Sequence, residues 1–215
     1  MISRRQMIAS SSALAALGVS SAARAQGATC AVFDKSSQAA TSPDQALARL
    51  KEGNERFSNG KTVNCDLMSQ VKATSGQQSP VACVVGCIDS RVPPELVFDQ
   101  RLGDIFAARV AGNFVNTDII GSLEFATKLA GAKVIVVLGH TECGAIKGAV
   151  DDAKLGNLTA TLANIRPSLT KLNYSAMPSS KNKELVQRVA DQNARDAAAN
   201  LTAKSEVLSE LVKEG

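Results

Sequence analysis

An α/β fold with a doubly wound parallel sheet flanked by helices is the architecture this sequence predicts, and three observations predict it. The runs at 80–87 and 133–138 are continuously apolar rather than alternating, as strands covered on both faces are. A third strand-like run lies between them at 104–110. Segments with apolar residues at helical spacing separate and follow these runs, so strands alternate with helices along the chain.

The first 25 residues read as an export signal rather than as part of that fold. Ser3-Arg4-Arg5-Gln6-Met7-Ile8 is a twin-arginine start, and Ala23-Arg24-Ala25 is a small-residue cleavage site. The weakly apolar stretch between them covers about 13 residues, too short for a spanning helix of roughly 20. A mature protein beginning near Gln26 in the periplasm is expected, with no membrane partner, because no later segment is apolar enough to span a bilayer.

Residues 26–41 are small and polar and predict a flexible arm. The α/β domain is expected over 42–215. Ser42-Pro43-Asp44-Gln45 is a capping box with proline in the first turn; Leu47, Leu50, Asn54 and Phe57 follow on one face, and Asn59-Gly60 stops the helix. After the strands at 80–87 and 104–110, Ile120, Leu123, Ala126 and Ala130 mark a helix over 117–130. Gly131 and Gly139 bound the strand at 133–138. The remainder is helical: 158–172, broken around Pro167, then one long amphipathic segment at 181–213.

Composition bounds the partners. The 215 residues are 45% apolar and 20% charged, enough for one domain with a real core. Lys+Arg number 24 against 20 acids, but three of the arginines lie in the first 25 residues, which leaves 21 against 20. With 3% aromatics, no tryptophan and no basic run, a nucleic-acid partner is not expected.

Five cysteines in an exported chain raise the question of disulfides. Cys83, inside an apolar run, reads as a buried thiol acting as a small hydrophobe. Cys30 and Cys65 flank the first long helix and are placed to pair in an oxidising compartment. Cys87 and Cys143 differ, because each stands beside polar residues just after an apolar strand.

Ligands of open parallel sheets collect at the carboxyl ends of the strands. Two such ends are Cys87-Ile88-Asp89-Ser90-Arg91 and Gly139-His140-Thr141-Glu142-Cys143-Gly144, the second carrying the only histidine of the chain. Two thiolates and one imidazole form the pattern of a catalytic zinc site, with three protein ligands and a fourth position left for solvent, Asp89 or a distant cysteine. Zinc lowers the pKa of bound water to about 7, which makes hydroxide available. Asp89 is placed to accept a hydrogen bond from that hydroxide, and Arg91 to hold the carboxylate off the metal. The plainer alternative is an Asp–Arg pair that only ties a loop.

Cys87-x-Asp89-x-Arg91 followed by Gly139-His140-x-x-Cys143-Gly144 resembles the β-class carbonic anhydrases. Gly53-Asn54-x-Arg56-Phe57, Gln78-Ser79-Pro80, Gly103-Asp104-Ile105-Phe106 with Arg109 and Asn113, and Ser122-Leu123-Glu124 extend the likeness. The resemblance implies Zn²⁺ on Cys87, His140 and Cys143, a catalytic dyad of Asp89 and Arg91, and substrate contacts from Gln78 across a dimer interface, from Phe106 and from Gly144. It implies a homodimer or homotetramer, the helix at 42–60 reaching over the partner.

The absence of tryptophan points away from the bicarbonate-regulated subclass and towards a site with Asp89 off the metal. Phe125 stands where many members have tyrosine. Members also continue into another strand and a closing segment, whereas this chain stops at Gly215, so a C-terminally shortened sheet with its third strand at an edge is expected. The implied function is reversible hydration of carbon dioxide to bicarbonate and a proton by zinc-bound hydroxide, with proton release left to buffer for want of a second histidine. The alternatives are a CS2 or COS hydrolase of the same family, a non-catalytic zinc or bicarbonate-binding protein, and a cysteine hydrolase using Cys143 and His140.

Overall fold

Three strands position everything that follows: β1 (Ala82–Gly86), β2 (Ile105–Arg109) and β3 (Val134–Leu138), in the order β2-β1-β3 with both pairings parallel. This computed structural model describes residues 30–215; the export signal and the first residues of the arm lie outside that range. The three strands run in step, Ala82 opposite Ile105 and Val134, and Gly86 opposite Arg109 and Leu138. All three carboxyl ends therefore stop at one level.

The apolar runs are explained by cover on both faces. Ala82 and Val84 pack with Leu50, Val97 and Phe98 from α2 (Pro43–Ser58) and the α4 turn (Pro94–Val97). Cys83 and Val85 turn the other way, onto Leu123 and Ala126 of α5 and the turn that follows it, with Ala197, Leu201 and Leu208 from α9 and α10. Here α5 is Thr117–Glu124, prolonged by a π-helical turn at Phe125–Leu129; α9 is Lys183–Lys204 and α10 is Glu206–Glu214. Every residue of the central β1 is buried, whereas β3, at one edge, is half-buried throughout. Three shorter helices lie between: α6 (Gly144–Val150), α7 (Gly156–Ala163) and α8 (Arg166–Lys171).

The Gly53-Asn54-x-Arg56 pattern is a docking motif. Gly53 lies so close to the α4 end that a Cβ there would stand 1.8 Å from the Phe98 carbonyl oxygen. Asn54 Nδ2 donates to the Val97 carbonyl at 3.0 Å, and Arg56 pairs with Asp99 at 2.5 Å.

From residue 30 onward the N-terminal arm departs from the expected flexible segment. It carries α1 (Lys35–Ala40), capped by Asp34 and Ser37, and Gln38 is buried. The Gln38 amide donates to the carbonyls of Pro80 (2.7 Å) and Ala130 (2.8 Å), satisfying acceptors near the amino ends of β1 and β3. Cys30 is disulfide-bonded to Cys65, the pairing the compartment argument allowed. A small polar stretch looks flexible by composition; here two long-range hydrogen bonds and a covalent tie hold it.

Helix α3 (Leu67–Thr74), which the periodicity missed, is capped by Asp66, and its buried Gln70 accepts from Leu102 N–H at 2.9 Å. The expected single helix over 181–213 is two. Ser205 adopts an extended conformation, caps α10 by accepting from Leu208 N–H, and donates to Glu124 at 2.5 Å. The 158–172 segment breaks between α7 and α8, with Pro167 in the first turn of α8.

Candidate metal centre

Flush strand ends bring the two predicted loops together. Cys87 follows β1 directly, His140 stands two residues past β3, and Cys143 is the residue before α6. The ligand atoms of Cys87, His140 and Cys143 all lie within 4.8 Å of one another, and the two sulfurs are 3.9 Å apart. Two metal–sulfur bonds of about 2.3 Å at a tetrahedral angle span about 3.8 Å, so the sulfurs already stand at the separation zinc requires.

The imidazole completes the fit. His140 Nδ1 lies 2.9 Å from the Thr141 carbonyl, an acceptor only, so Nδ1 carries the proton and Nε2 presents a lone pair. Nε2 is buried and has no hydrogen-bond partner. A buried imidazole nitrogen with no hydrogen-bond partner, facing two thiols, has the character of a metal ligand set. The donor chemistry, two sulfurs and one nitrogen, suits zinc.

The two cysteines are buried beside Ile146, Ile165, Val189 and Ala190. Their shared S–H···S hydrogen bond holds one proton readily and two poorly. It brings Cys87 down to about 4, with help from the Gly112 N–H, while the same bond and burial push Cys143 up.

Arg91 grips Asp89 with a fork: Nε to Oδ1 at 2.9 Å and Nη2 to Oδ2 at 2.7 Å, with the Arg91 N–H on Oδ1 at 2.9 Å. These hydrogen bonds hold the Asp89 carboxyl far below the usual carboxylate range. The side chain is 16% exposed, and Oδ2 stands 3.9 Å from His140 Nε2. Arg109 braces this loop from β2, donating to the carbonyls of Cys87 (2.8 Å) and Asp89 (2.6 Å).

The remaining predicted residues are distributed differently. Gln78 is exposed in the loop before β1, and the length of that strand, about 16 Å at 3.3 Å per residue, separates it from Cys87. Phe106 pairs with Cys83, low on the sheet, and meets Phe125 edge-on at 6.4 Å. Gly144 opens α6, exposed, where a Cβ would meet nothing within 4 Å, so packing inside this chain does not demand glycine there.

Two site residues escaped the sequence reading. Gly112 donates its N–H to Cys87 Sγ at 3.3 Å, and Asn193 on α9 donates to the Gly112 carbonyl at 2.7 Å. The available signal was an amide among Val189, Ala190 and Ala197 on the apolar face of a helix.

An open parallel sheet with a Cys-His-Cys set and an arginine-held carboxylate at its carboxyl edge defines an α/β protein with a site that could hold one metal ion. The comparisons make the class specific. The carbonic anhydrase family model matches residues 82–215. Carbonic anhydrase 2 of Mycobacterium tuberculosis is 35% identical over 181 residues, covering 81% of this chain and 84% of that protein. Among solved structures, the β-carbonic anhydrase CcaA matches at 27% identity and a TM-score of 0.61, over 78% of each chain. A structure described as one of two tetrameric β-carbonic anhydrases from Sordaria macrospora matches at 25% identity and a TM-score of 0.57, over 68% of this chain and 80% of that one. The chain belongs to the carbonic anhydrase family of enzymes, and its fold is that of the β class.

Proposed function

We propose that this protein catalyses the reversible hydration of carbon dioxide to bicarbonate and a proton at the site formed by Cys87, His140, Cys143, Asp89 and Arg91. One observation carries the reading: a buried, unpartnered His140 Nε2 faces two thiols while Arg91 keeps the adjacent carboxylate ionised. Cys87, His140 and Cys143 would hold the zinc, which would supply a hydroxide nucleophile at neutral pH.

The chain's own residues do the rest. The Thr141 carbonyl fixes the His140 tautomer. Asp89, acceptor-only when ionised, orients the nucleophile through a hydrogen bond to Oδ2. Arg91 occupies both carboxylate oxygens and so restrains Asp89 from becoming a ligand. Gly144, at the ligand-loop end, is the proposed substrate contact within the chain, and Phe106, paired with Cys83 low on the sheet, is proposed to wall the pocket of a second copy. Gln78, at the opposite end of β1, reaches a substrate only in a second copy, which supports a homodimer or homotetramer as the working unit.

Stopped-flow hydration of carbon dioxide by the zinc-loaded protein tests the activity, with Cys87→Ser as the comparison. Loss of both zinc and turnover in that variant is expected; full activity in it overturns the assignment. Turnover of COS or CS2 without hydration of carbon dioxide would assign the site to the hydrolase alternative, and stoichiometric zinc with no turnover to the binding alternative.

Export to the periplasm, with cleavage near Ala25, is part of the same proposal. The Arg4-Arg5 motif and a Cys30–Cys65 disulfide, which suits an oxidising compartment, support it. Replacing both arginines by lysine should retain the protein in the cytoplasm on cell fractionation; unchanged export removes the twin-arginine reading.

A further inference from the structure

Behind the ligand set stands α9, and one of its side chains reaches the metal site through a single residue. Asn193 is 2% exposed, and its Nδ2 donates to the Gly112 carbonyl at 2.7 Å. The N–H of Gly112 in turn donates to Cys87 Sγ at 3.3 Å. Gly112 has a φ of +85°, and a Cβ there would stand 2.4 Å from Ile165 Cδ1, so conformation and space both require glycine. With its carbonyl held by Asn193 and no room to swing, Gly112 keeps its N–H on the sulfur. The same helix touches the other ligand loop: Ala194 Cβ would lie 3.4 Å from a Cβ on Gly139, the residue before His140.

We infer that Asn193 is a positioning residue for the metal site, acting through Gly112 to hold a backbone hydrogen-bond donor on the Cys87 sulfur. An N–H···S bond stabilises the charged thiolate and fixes the direction of its lone pairs, as partners behind metal ligands commonly do. The inference rests on the reading of Cys87 as a zinc ligand and extends it to a residue 106 positions further along the chain.

The test uses Asn193→Leu and Asn193→Asp in the full chain, the first apolar and the second of the same shape but without the amide donor. Zinc affinity, measured by competition with a chelator, should fall about 10–100-fold in both. In the cobalt-substituted protein the sulfur-to-cobalt absorption band should move to longer wavelength, because a sulfur without its N–H donor gives up electrons more easily. A merely structural Asn193 would lower the unfolding temperature and leave zinc affinity and the band unchanged, and that result overturns the inference.

The wild-type protein provides a measurement that needs no variant. Loaded with cadmium-113, it should show scalar coupling between the metal and the Gly112 amide proton, and absence of that coupling also overturns the inference. Should the wild-type protein take up no zinc, or Cys87→Ser bind it equally well, the underlying site assignment fails instead.

Discussion

Arg91 holds both oxygens of Asp89, through Nε at 2.9 Å and Nη2 at 2.7 Å, and Asp89 stands two residues beyond a cysteine that faces His140. Arg91 is itself 62% exposed, whereas the carboxylate it grips is 16% exposed. A pair this open contributes little to stability. Its consequence is positional: the carboxylate stands beside the ligand set and is restrained from joining it.

Arg91→Leu should therefore lower carbon dioxide hydration about 10²–10⁴-fold, the range expected when a positioned acid–base group is lost. Zinc content should stay at one per chain, because no ligand is removed. Stopped-flow rates and elemental analysis read the two effects separately. Normal turnover in this variant would reduce the pair to a loop tie.

Gly53→Ala should destabilise the protein by about 3 kcal/mol, since its Cβ meets a backbone carbonyl that has no freedom to retreat. Gly121→Ala is the control: it lies within α5, where a Cβ meets nothing within 4 Å, and removing a helical glycine should stabilise by about 0.5–1 kcal/mol. Urea midpoints of both variants check this; equal midpoints would mean that α2 does not depend on close approach at Gly53.

Reducing the Cys30–Cys65 disulfide opens a link between residues 35 positions apart. A loss of about 2–4 kcal/mol is expected, or roughly 5–15 °C in the melting temperature. The link anchors the arm near the amino ends of the strands, opposite the ligand loops, so hydration activity below the melting point should survive. Differential scanning calorimetry with and without reductant tests the first part. Cys30→Ser should melt at the same temperature in both conditions.

Cys83 governs an alkaline limb. Burial pushes its thiol from 9.0 up to about 12. Below 9.0 the folded and unfolded chains both keep the proton, and Cys83 adds no pH dependence. Between 9.0 and 12 the unfolded chain releases it first, so this contribution to stability falls as pH rises. Cys83→Ala has no thiol to titrate, and the melting-temperature gap between wild type and variant should close across that range. A constant gap would show that the Cys83 thiol is not held protonated by the fold. The same burial predicts that iodoacetamide leaves Cys83 unlabelled in the folded protein.

Local pattern alone determined the strands, their parallel α/β arrangement and the three candidate ligand residues, because a strand buried on both faces must be continuously apolar and ligands of such sheets collect at the carboxyl ends. Cys87, Asp89, Arg91, His140 and Cys143 were legible for that reason: each sits within five residues of a strand terminus. Only the tertiary structure decided that the strands run in step, which sets the two sulfurs 3.9 Å apart. It also decided that Gln38 orders an arm whose composition looks flexible, that Ser205 divides the last helix, and that Asn193 reaches Gly112. Those outcomes depend on hydrogen bonds between residues about 40 to 90 positions apart, and such contacts leave no periodicity in the chain for a local reading to detect.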